Sequence, residues 1–544
     1  MASCAPPSLG IDSLQRTAGP RKDEYDLAVP SFQEDAEPDN HKDGFNSTPA
    51  DAAQMRRMGK DQQLVRRFRL LSMASFVAVA SASWEMGIFN LSWALTNGGR
   101  PVLVYSLMWH FVGFIPVNLS MAEMASMAPI AGAQYHWVSE FAPESLQRSL
   151  SYATGWTSTL AWQAGNAGGV FIGGTIIQIL ISLYDETYPF TQWHTTLLAI
   201  AAISIAFLAN TLGSRWLHLW QSSFALHLLV YLALIIPIWV NAPKSSHHQV
   251  WSEFEYNGGW ANTAVAAFIG SITTIGPQMG ADTAAHMSEE VKNSSKAVPR
   301  SMIAVWLINT MMAVVTYTTI AYHLPNMEEA LADPSLYPIM HIIRHTMSRE
   351  WMTVLLVFIF ILIICSNTTY LAAVSRDIWA FARDDGLPFS KWLSRVDQKR
   401  HIPRNSIILT SSVSLLLSLI YIGSPTAFFA IGSLYNVALL QCYCLSIGCV
   451  LWRRIKYPET LPSAEFSLGR LGIPLNIMAV AWSFFCFFWG FWPMSTPVDV
   501  EIFNWSSVLF VGTLILASIH YVLVARHKYF GPVTHVEGRK VRTS

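Results

Sequence analysis

Residues 275–282 read Ile275-Gly276-Pro277-Gln278-Met279-Gly280-Ala281-Asp282, in the middle of an apolar stretch that runs over about 262–286. Pro277 removes a backbone donor, and Gly276 and Gly280 weaken a helix on either side of it. Asp282 then sets a carboxylate among apolar neighbours. If the stretch spans a membrane, its helix breaks at depth, which is tolerated only where the backbone is buried in protein or lines a cavity. One reading is a proline kink with Asp282 at the N-cap of the second half-helix, a position that favours Asp. A second, compatible with it, adds a ligand. The N–H groups freed at one half-helix suit a carboxylate, and the carbonyls freed at the other suit a cation.

The rest of the chain supplies the membrane. Of its 544 residues, 52% are hydrophobic and 13% charged, against about 25% charged in an ordinary soluble domain. Lys and Arg number 35 and balance 35 Asp and Glu. That balance argues against a nucleic-acid binder, which carries a basic excess. With 21 Trp, 29 Phe and 18 Tyr, the chain is too aromatic to be disordered. Stretches of about 20 apolar residues are long enough to cross a bilayer. Twelve are found, at about 70–97, 102–127, 152–183, 194–212, 216–240, 262–286, 301–323, 351–382, 406–423, 425–451, 471–494 and 504–524, here numbered spans 1 to 12. The expected fold is an all-α polytopic membrane protein.

Orientation follows from the basic residues of the connections. With the N-terminus inside, 26 Lys and Arg from residue 56 onward fall on the inner side, and only Arg100, Lys244, Arg344 and Arg349 on the outer. A span miscounted by one would scramble that alternation, so both termini are expected in the cytosol. Residues 1–69 are expected to form a polar, mostly disordered cytosolic tail, with 452–470 a cytosolic loop and 525–544 a cytosolic C-terminal tail. No h-region of a signal peptide precedes span 1. Five of the six cysteines fall in spans and Cys4 in the tail, which leaves no extracellular pair, and no Cys/His spacing suits a metal. The Asn-x-Ser/Thr sequons at Asn46, Asn90, Asn118, Asn293, Asn367 and Asn504 fall in the cytosol, in spans or at their edges, and read as chance.

Charge inside a span is costly and points to function unless it is paired. Five such residues occur: Glu85, Glu123, Asp282, Arg376 and Asp377. Glu123 lies within snorkelling distance of the interface, and Arg376 and Asp377 sit near the inner end of span 8, so structural pairing is expected for these three. Glu85 lies nearer the middle of span 1. Around it, Ala78 to Glu85 contains small residues and two serines but no Gly or Pro. Span 3 carries Gly155, Gly165, Gly168, Gly169, Gly173 and Gly174, most simply a close-packing face.

Three longer patterns carry a family resemblance. Gly280-Ala281-Asp282-Thr283-Ala284-Ala285-His286-Met287-Ser288-Glu289-Glu290-Val291-Lys292-Asn293, followed by Val298-Pro299-Arg300, resembles the sixth-span exit of the fungal amino acid/choline/GABA permeases, within the amino acid–polyamine–organocation superfamily. Ser375-Arg376, Ala382-Arg383-Asp384-Asp385-Gly386-Leu387-Pro388-Phe389 and Pro403-Arg404-Asn405 resemble the superfamily's eighth span and following loop. Ala122-Glu123-Met124-Ala125-Ser126-Met127-Ala128-Pro129, with Gly132, Gln134, Tyr135 and Trp137, resembles the end of its second span and the re-entrant turn after it.

The resemblance implies a leucine-transporter-like core of five-plus-five inverted repeats over 70–451, with accessory spans over 471–524. Substrate would then bind between broken spans 1 and 6, closed by spans 3 and 8. Carried onto this chain, the substrate-binding candidates are Ala80, Ser81, Ala82, Ser83, Trp84 and Glu85 with Met279, Gly280, Ala281 and Asp282. Ser366 and Thr369 stand where sodium-coupled relatives hold an ion. Two departures matter. Span 1 lacks the glycine-rich break usual in the superfamily, and span 5 lacks the lysine that replaces the ion in some relatives, offering His218 and His227 instead. The implied activity is alternating-access transport of a small amino acid or amine, such as an amino acid, GABA or choline, in symport with a proton or another cation. Trp84 beside Glu85 would suit a quaternary ammonium. A nutrient sensor built on a transporter fold and an exporter of an amine-containing metabolite are the alternatives. No enzyme motif, cofactor or nucleic-acid partner is called for, and the plasma membrane is favoured over the vacuole.

Overall fold

The computed structural model describes residues 45–185, 187–214, 223–324, 326–333, 335 and 337–532. Among them there are helices and isolated bridges but no strands. Eleven helices are long and apolar enough to cross a membrane. The twelfth span is the broken sixth, which escapes a length criterion because it is assembled from short pieces. Span 2 runs Gly99–Met127, span 3 Gln147–Ser182, span 4 Gln192–Thr211 and span 5 Ser223–Asn241. Span 7 runs Ser294–His323, span 8 Arg349–Arg383, span 9 Arg404–Gly423 and span 10 Pro425–Lys456. Spans 11 and 12 are Gly472–Trp489 and Ser506–Leu523. Several begin or end a turn away from the expected bounds, since polar helix ends extend past the apolar stretch that hydropathy sees. His218 lies outside the described residues.

Both first members of the two repeats are broken. Span 1 is helical over Leu70–Ser81, breaks at Ala82, resumes over Ser83–Gly87 and ends with Ser92–Thr96. Span 6 is helical over Thr263–Gly270, continues as 3₁₀ turns at Ser271–Thr274 and Gly276–Gln278, extends at Met279, and resumes at Thr283–His286. Pairing across the molecule follows one rule. Spans 1 to 4 each touch the one five places on: span 1 meets 6, span 2 meets 7, span 3 meets 8, and span 4 meets 9, while span 5 packs on spans 1, 7 and 8. Two copies of one unit, packed through equivalent faces, produce that pattern. Spans 11 and 12 lie outside it, with 11 packed on spans 2 and 10 and 12 on spans 3 and 10.

The glycines of span 3 act largely as expected. A side chain at Gly155 would strike Phe381, one at Gly165 the Tyr370 hydroxyl, and one at Gly169 the Asn367 carbonyl, all on span 8. At Gly174 it would meet the backbone of span 4, 2.8 Å from the Thr195 carbonyl and 2.9 Å from the Ala199 nitrogen. Gly168 faces open space.

The expected disorder of residues 1–69 is corrected from Phe45 onward. Thr48 caps a helix, Pro49–Arg57, in a reciprocal capping box with Asp51. The segment then docks beneath spans 1, 6 and 8. Arg67 and Phe68 donate backbone bonds to the Glu290 carbonyl, and Lys292 returns one to Phe68. Met55, Met58, Leu64 and Phe68 are buried. The polar composition over 45–69 belongs to a cap stitched by hydrogen bonds and ion pairs rather than to a free tail.

Candidate functional site

The break in span 1 is made without glycine. Ala82 takes the left-handed conformation at φ 40°, at a cost of about 1–2 kcal/mol for a residue with a Cβ. The serines on either side hold it. Ser81 Oγ donates to the Val77 carbonyl at 2.9 Å, and Ser83 Oγ donates across to the Pro277 carbonyl at 3.4 Å. Ser366 Oγ of span 8 donates to the Ala80 carbonyl at 3.2 Å. Gly280 in span 6 supplies the opposing bend at φ 93°, and its absent side chain would lie 3.4 Å from Ser81 Oγ. The two breaks therefore face each other.

Between them is a narrow cleft lined by Ser81, Ser83, Pro277, Met279 and Ala281, with Val305, Trp306 and Asn309 of span 7. It is closed too tightly to admit a water-sized sphere. Trp306 Nε1 and Thr310 Oγ1 both donate to Gln278 Oε1 at 3.1 Å, and Asn309 Nδ2 donates to the Ala78 carbonyl at 3.2 Å. Span 7 thus fixes both broken segments. Hydropathy gave no reason to single out these span 7 residues, and a buried amide and indole in an otherwise apolar span were the available signal.

The candidate residues divide into three groups around this cleft. Ser81, Ser83, Met279 and Ala281 line it; Ala80, Ala82 and Gly280 shape its backbone. Trp84 and Glu85 do not line it and instead turn towards span 5. Trp84 packs against His227 and Tyr231, with ring centroids 5.7 and 5.5 Å apart. Glu85 Oε1 lies 2.5 Å from His227 Nδ1, and both residues are buried. Among the described residues, Glu85 Oε2 and His227 Nε2 have no hydrogen-bond partner. The histidine noted in span 5 is thus brought onto the carboxylate noted in span 1.

Asp282 is fully buried and held at both oxygens. Gln134 Nε2, from the helix Ala133–Phe141 that follows span 2, donates to Oδ2 at 2.5 Å. The Tyr443 hydroxyl of span 10 donates to Oδ1 at 2.8 Å. Its residue stands at the N-cap position of Thr283–His286, yet its side chain makes no capping bond. One turn on, His286 Nδ1 meets the Ala131 carbonyl at 2.9 Å and lies 3.6 Å from Asp377 Oδ1. Thr369 donates within its own helix, to the Cys365 and Ser366 carbonyls, so of the two ion-site candidates only Ser366 reaches span 1.

Structural pairing holds for Glu123, which meets Arg454, and for Arg376, whose Nε donates to Glu290 at 2.8 Å. Asp377 differs. It accepts from the Ser158 hydroxyl at 3.0 Å and the Thr159 hydroxyl at 3.4 Å, and its nearest basic group is His286.

Below the breaks, ion pairs close the end of the bundle that carries residues 45–69. Arg383 holds Glu289 with two bonds, at 2.8 and 3.0 Å. Lys60 meets Asp384, which also accepts from the Tyr135 hydroxyl at 3.0 Å. Arg57 bonds Glu140 at 2.9 Å and the Met127 carbonyl at 2.7 Å. Asp51 accepts from the Asn293 and Ser294 amides at 2.9 and 3.0 Å. Burial pushes the Asp51 and Asp384 carboxyls up. Arg66 and the amides at Asp51, and Lys60 and Arg383 at Asp384, outweigh it, so both end below the ordinary aspartate range.

Broken, opposed spans inside a repeat-built bundle, sealed at one end by ion pairs, define a secondary transporter of the membrane. The sequence model of the amino acid permease family matches residues 68–518, and the chain belongs to that family, within the amino acid–polyamine–organocation superfamily. A protein named for amino acid/polyamine transport in Macrophomina phaseolina is 30% identical over 450 residues, covering 80% of this chain and 96% of its own. Amino-acid permease 2 of Neurospora crassa is 25% identical, covering 85% of this chain and 86% of its own. The GABA-specific permease of Saccharomyces cerevisiae is 24% identical, covering 88% and 85%. Among solved structures, the Eremococcus coleocola manganese transporter is similar at a TM-score of 0.50 and 13% identity, covering 84% of this chain and 95% of its own. That likeness concerns the fold alone.

Proposed function

We propose that this permease moves a small amino acid or amine, such as an amino acid, GABA or choline, through the cleft between spans 1 and 6, driven by a co-transported proton. The observation that carries the reading is the meeting of two helix breaks, at Ala82 and Gly280, across one cleft. The half-helix that begins at Ser83 leaves its first N–H groups without partners of its own, which suits a substrate carboxylate. The carbonyls at the end of the first half of span 6 suit an ammonium. The names of the similar permeases point to the same substrates. Trp84 is engaged with span 5, which favours a zwitterion over a quaternary ammonium caged by that ring.

Glu85 and His227 are the coupling pair in this reading. Each buries one polar atom without a partner, and a shared proton lowers the cost of carrying them through the membrane. The wider surroundings of the pair are Trp84, Tyr231, Phe224 and the Tyr317 ring near Gly87. Proteoliposome uptake of labelled GABA, choline and a panel of amino acids, with and without an imposed pH gradient, tests the whole. Saturable uptake of at least one, accelerated by an inward proton gradient, is expected; no uptake of any by folded protein refutes it. Glu85→Gln should flatten the dependence of uptake on the gradient at least severalfold while leaving exchange of substrate across the membrane. Unchanged gradient dependence would remove Glu85 from the coupling. Residence in the plasma membrane with both termini cytosolic remains part of the proposal.

A further inference from the structure

At the foot of the bundle, a cleft of about 400 Å³ opens between the start of span 1 and the start of span 7. It is lined by Arg69, Lys292, Lys296 and Arg300, together with Leu70, Asn293 and Ala297, and no carboxylate lines it. Lys296 and Arg300 are four residues apart and share one face of span 7. None of the four cations makes an ion pair among the described residues, whereas Arg57, Lys60, Arg66, Arg376, Arg383 and Arg454 at the same end each do. The nearby carboxylate, Asp51, is spent on Arg66 and on the Asn293 and Ser294 amides. Arg69, Lys296 and Arg300 are exposed and Lys292 is half-buried, so four like charges converge on one concavity where an anion can reach them.

The depth of the cleft identifies the anion. Span 7 has 30 residues and is therefore about 45 Å long, against about 30 Å for the hydrocarbon core. That excess lets its first turns, which carry Lys296 and Arg300, reach the headgroup layer. Beside them, Leu70 and Leu71 are 42% and 77% exposed, an apolar edge placed for acyl chains rather than for water. We propose that this cleft binds the phosphate headgroup of an anionic membrane lipid, with Lys296 and Arg300 on the phosphate and Leu70 and Leu71 against the chains. Basic pockets beside spans take phosphorylated lipid headgroups by the same physics. The inference needs the chain to lie in a membrane in the orientation proposed above, but not that it transports any particular substrate.

The test is binding, read without substrate, so that its failure and the failure of the transport reading stay separate. Purified full-length protein in detergent is titrated with dioctanoyl phosphatidylinositol 4-phosphate, following thermal stabilisation. Saturable binding is expected in the wild type. Lys296→Gln combined with Arg300→Gln should bind roughly thirtyfold more weakly, two cations at the contribution typical of each near a charged bilayer. Arg69→Gln should weaken binding roughly fivefold and provides a second reading should the double variant fail to fold. Lys296→Arg with Arg300→Lys should retain it. Absence of binding, or equal binding by the Gln variants, overturns the proposal. Displacement of the lipid by inorganic phosphate or inositol 1,4-bisphosphate at equal concentration also overturns it, because the cleft would then be a site for soluble phosphate.

Discussion

Asp282 is tied at both carboxylate oxygens by residues from two other parts of the fold, and that arrangement is more than a helix needs for an N-cap. Gln134 and Tyr443 belong to segments that must part if the cleft is to open towards the end closed by the ion pairs. In the proposed transport cycle, a carboxylate that bridges them would act as a joint of the gate. Asp282→Asn keeps the shape and one acceptor oxygen but loses the charge that strengthens both bonds, at about 1.5–3 kcal/mol for a charge-assisted bond. Uptake should fall about tenfold or more, while the protein still elutes as one species and reaches its membrane. Full activity in that variant would reduce the residue to a cap. The sequence marked Asp282 because a carboxylate stood beside Pro277 in an apolar run. It could not show that the side chain turns towards span 10, since nothing in local pattern links residue 282 to residue 443.

The element scale is where reading from sequence was strongest and also where it stopped. Twelve spans, the break in span 6 and the packing role of the span 3 glycines were legible, because each rests on length, proline chemistry or side-chain volume. The break in span 1 was expected only from the resemblance. Ala82 adopts φ 40° because Ser366, Ser83 and the facing Gly280 hold the backbone around it, and that is tertiary override of a residue that locally prefers helix. Ala82→Gly should then be neutral or stabilising by up to about 1 kcal/mol, the strain relief offsetting glycine's greater freedom when unfolded. A fall in melting temperature in Ala82→Gly would show that the backbone is not strained there. Gly174→Ala behaves oppositely, because the added carbon meets backbone of span 4 rather than a side chain that can swing. A loss of about 1–3 kcal/mol is expected for such overpacking, visible as a lowered melting temperature in detergent. Equal stability would mean that spans 3 and 4 can slide apart at no cost.

At the scale of the whole molecule, the segment at 45–69 converts a bundle into a closed bundle. Its residues bond the exit of span 6, the loop after span 8 and the helix Ala133–Phe141, so in the proposed transport cycle it would have to release all three for the cleft to open at this end. Composition made this segment look like a free tail, since polar residues that pair with distant partners cannot be told from polar residues that pair with water. Lys60 and Asp384 form one of its buried contacts with the loop after span 8, with side chains 7% and 4% exposed. Asp384 sits below the ordinary aspartate range in the folded state, so its contribution to stability is present above about pH 4 and is lost only as pH falls through that depressed value. The wild-type melting temperature should therefore stay level between pH 8 and about pH 4 as far as this contact is concerned. Lys60→Ala removes the largest pull against burial. Asp384 should then take up its proton at a higher pH, and the loss of one partner from a buried pair should cost about 3–5 kcal/mol. The expected result is a lower melting temperature together with an acid transition displaced towards neutrality. If Lys60→Ala melts at the wild-type temperature across that whole pH range, the contact does not hold the gate, and closure at this end must rest on the Arg383–Glu289 and Arg376–Glu290 pairs instead.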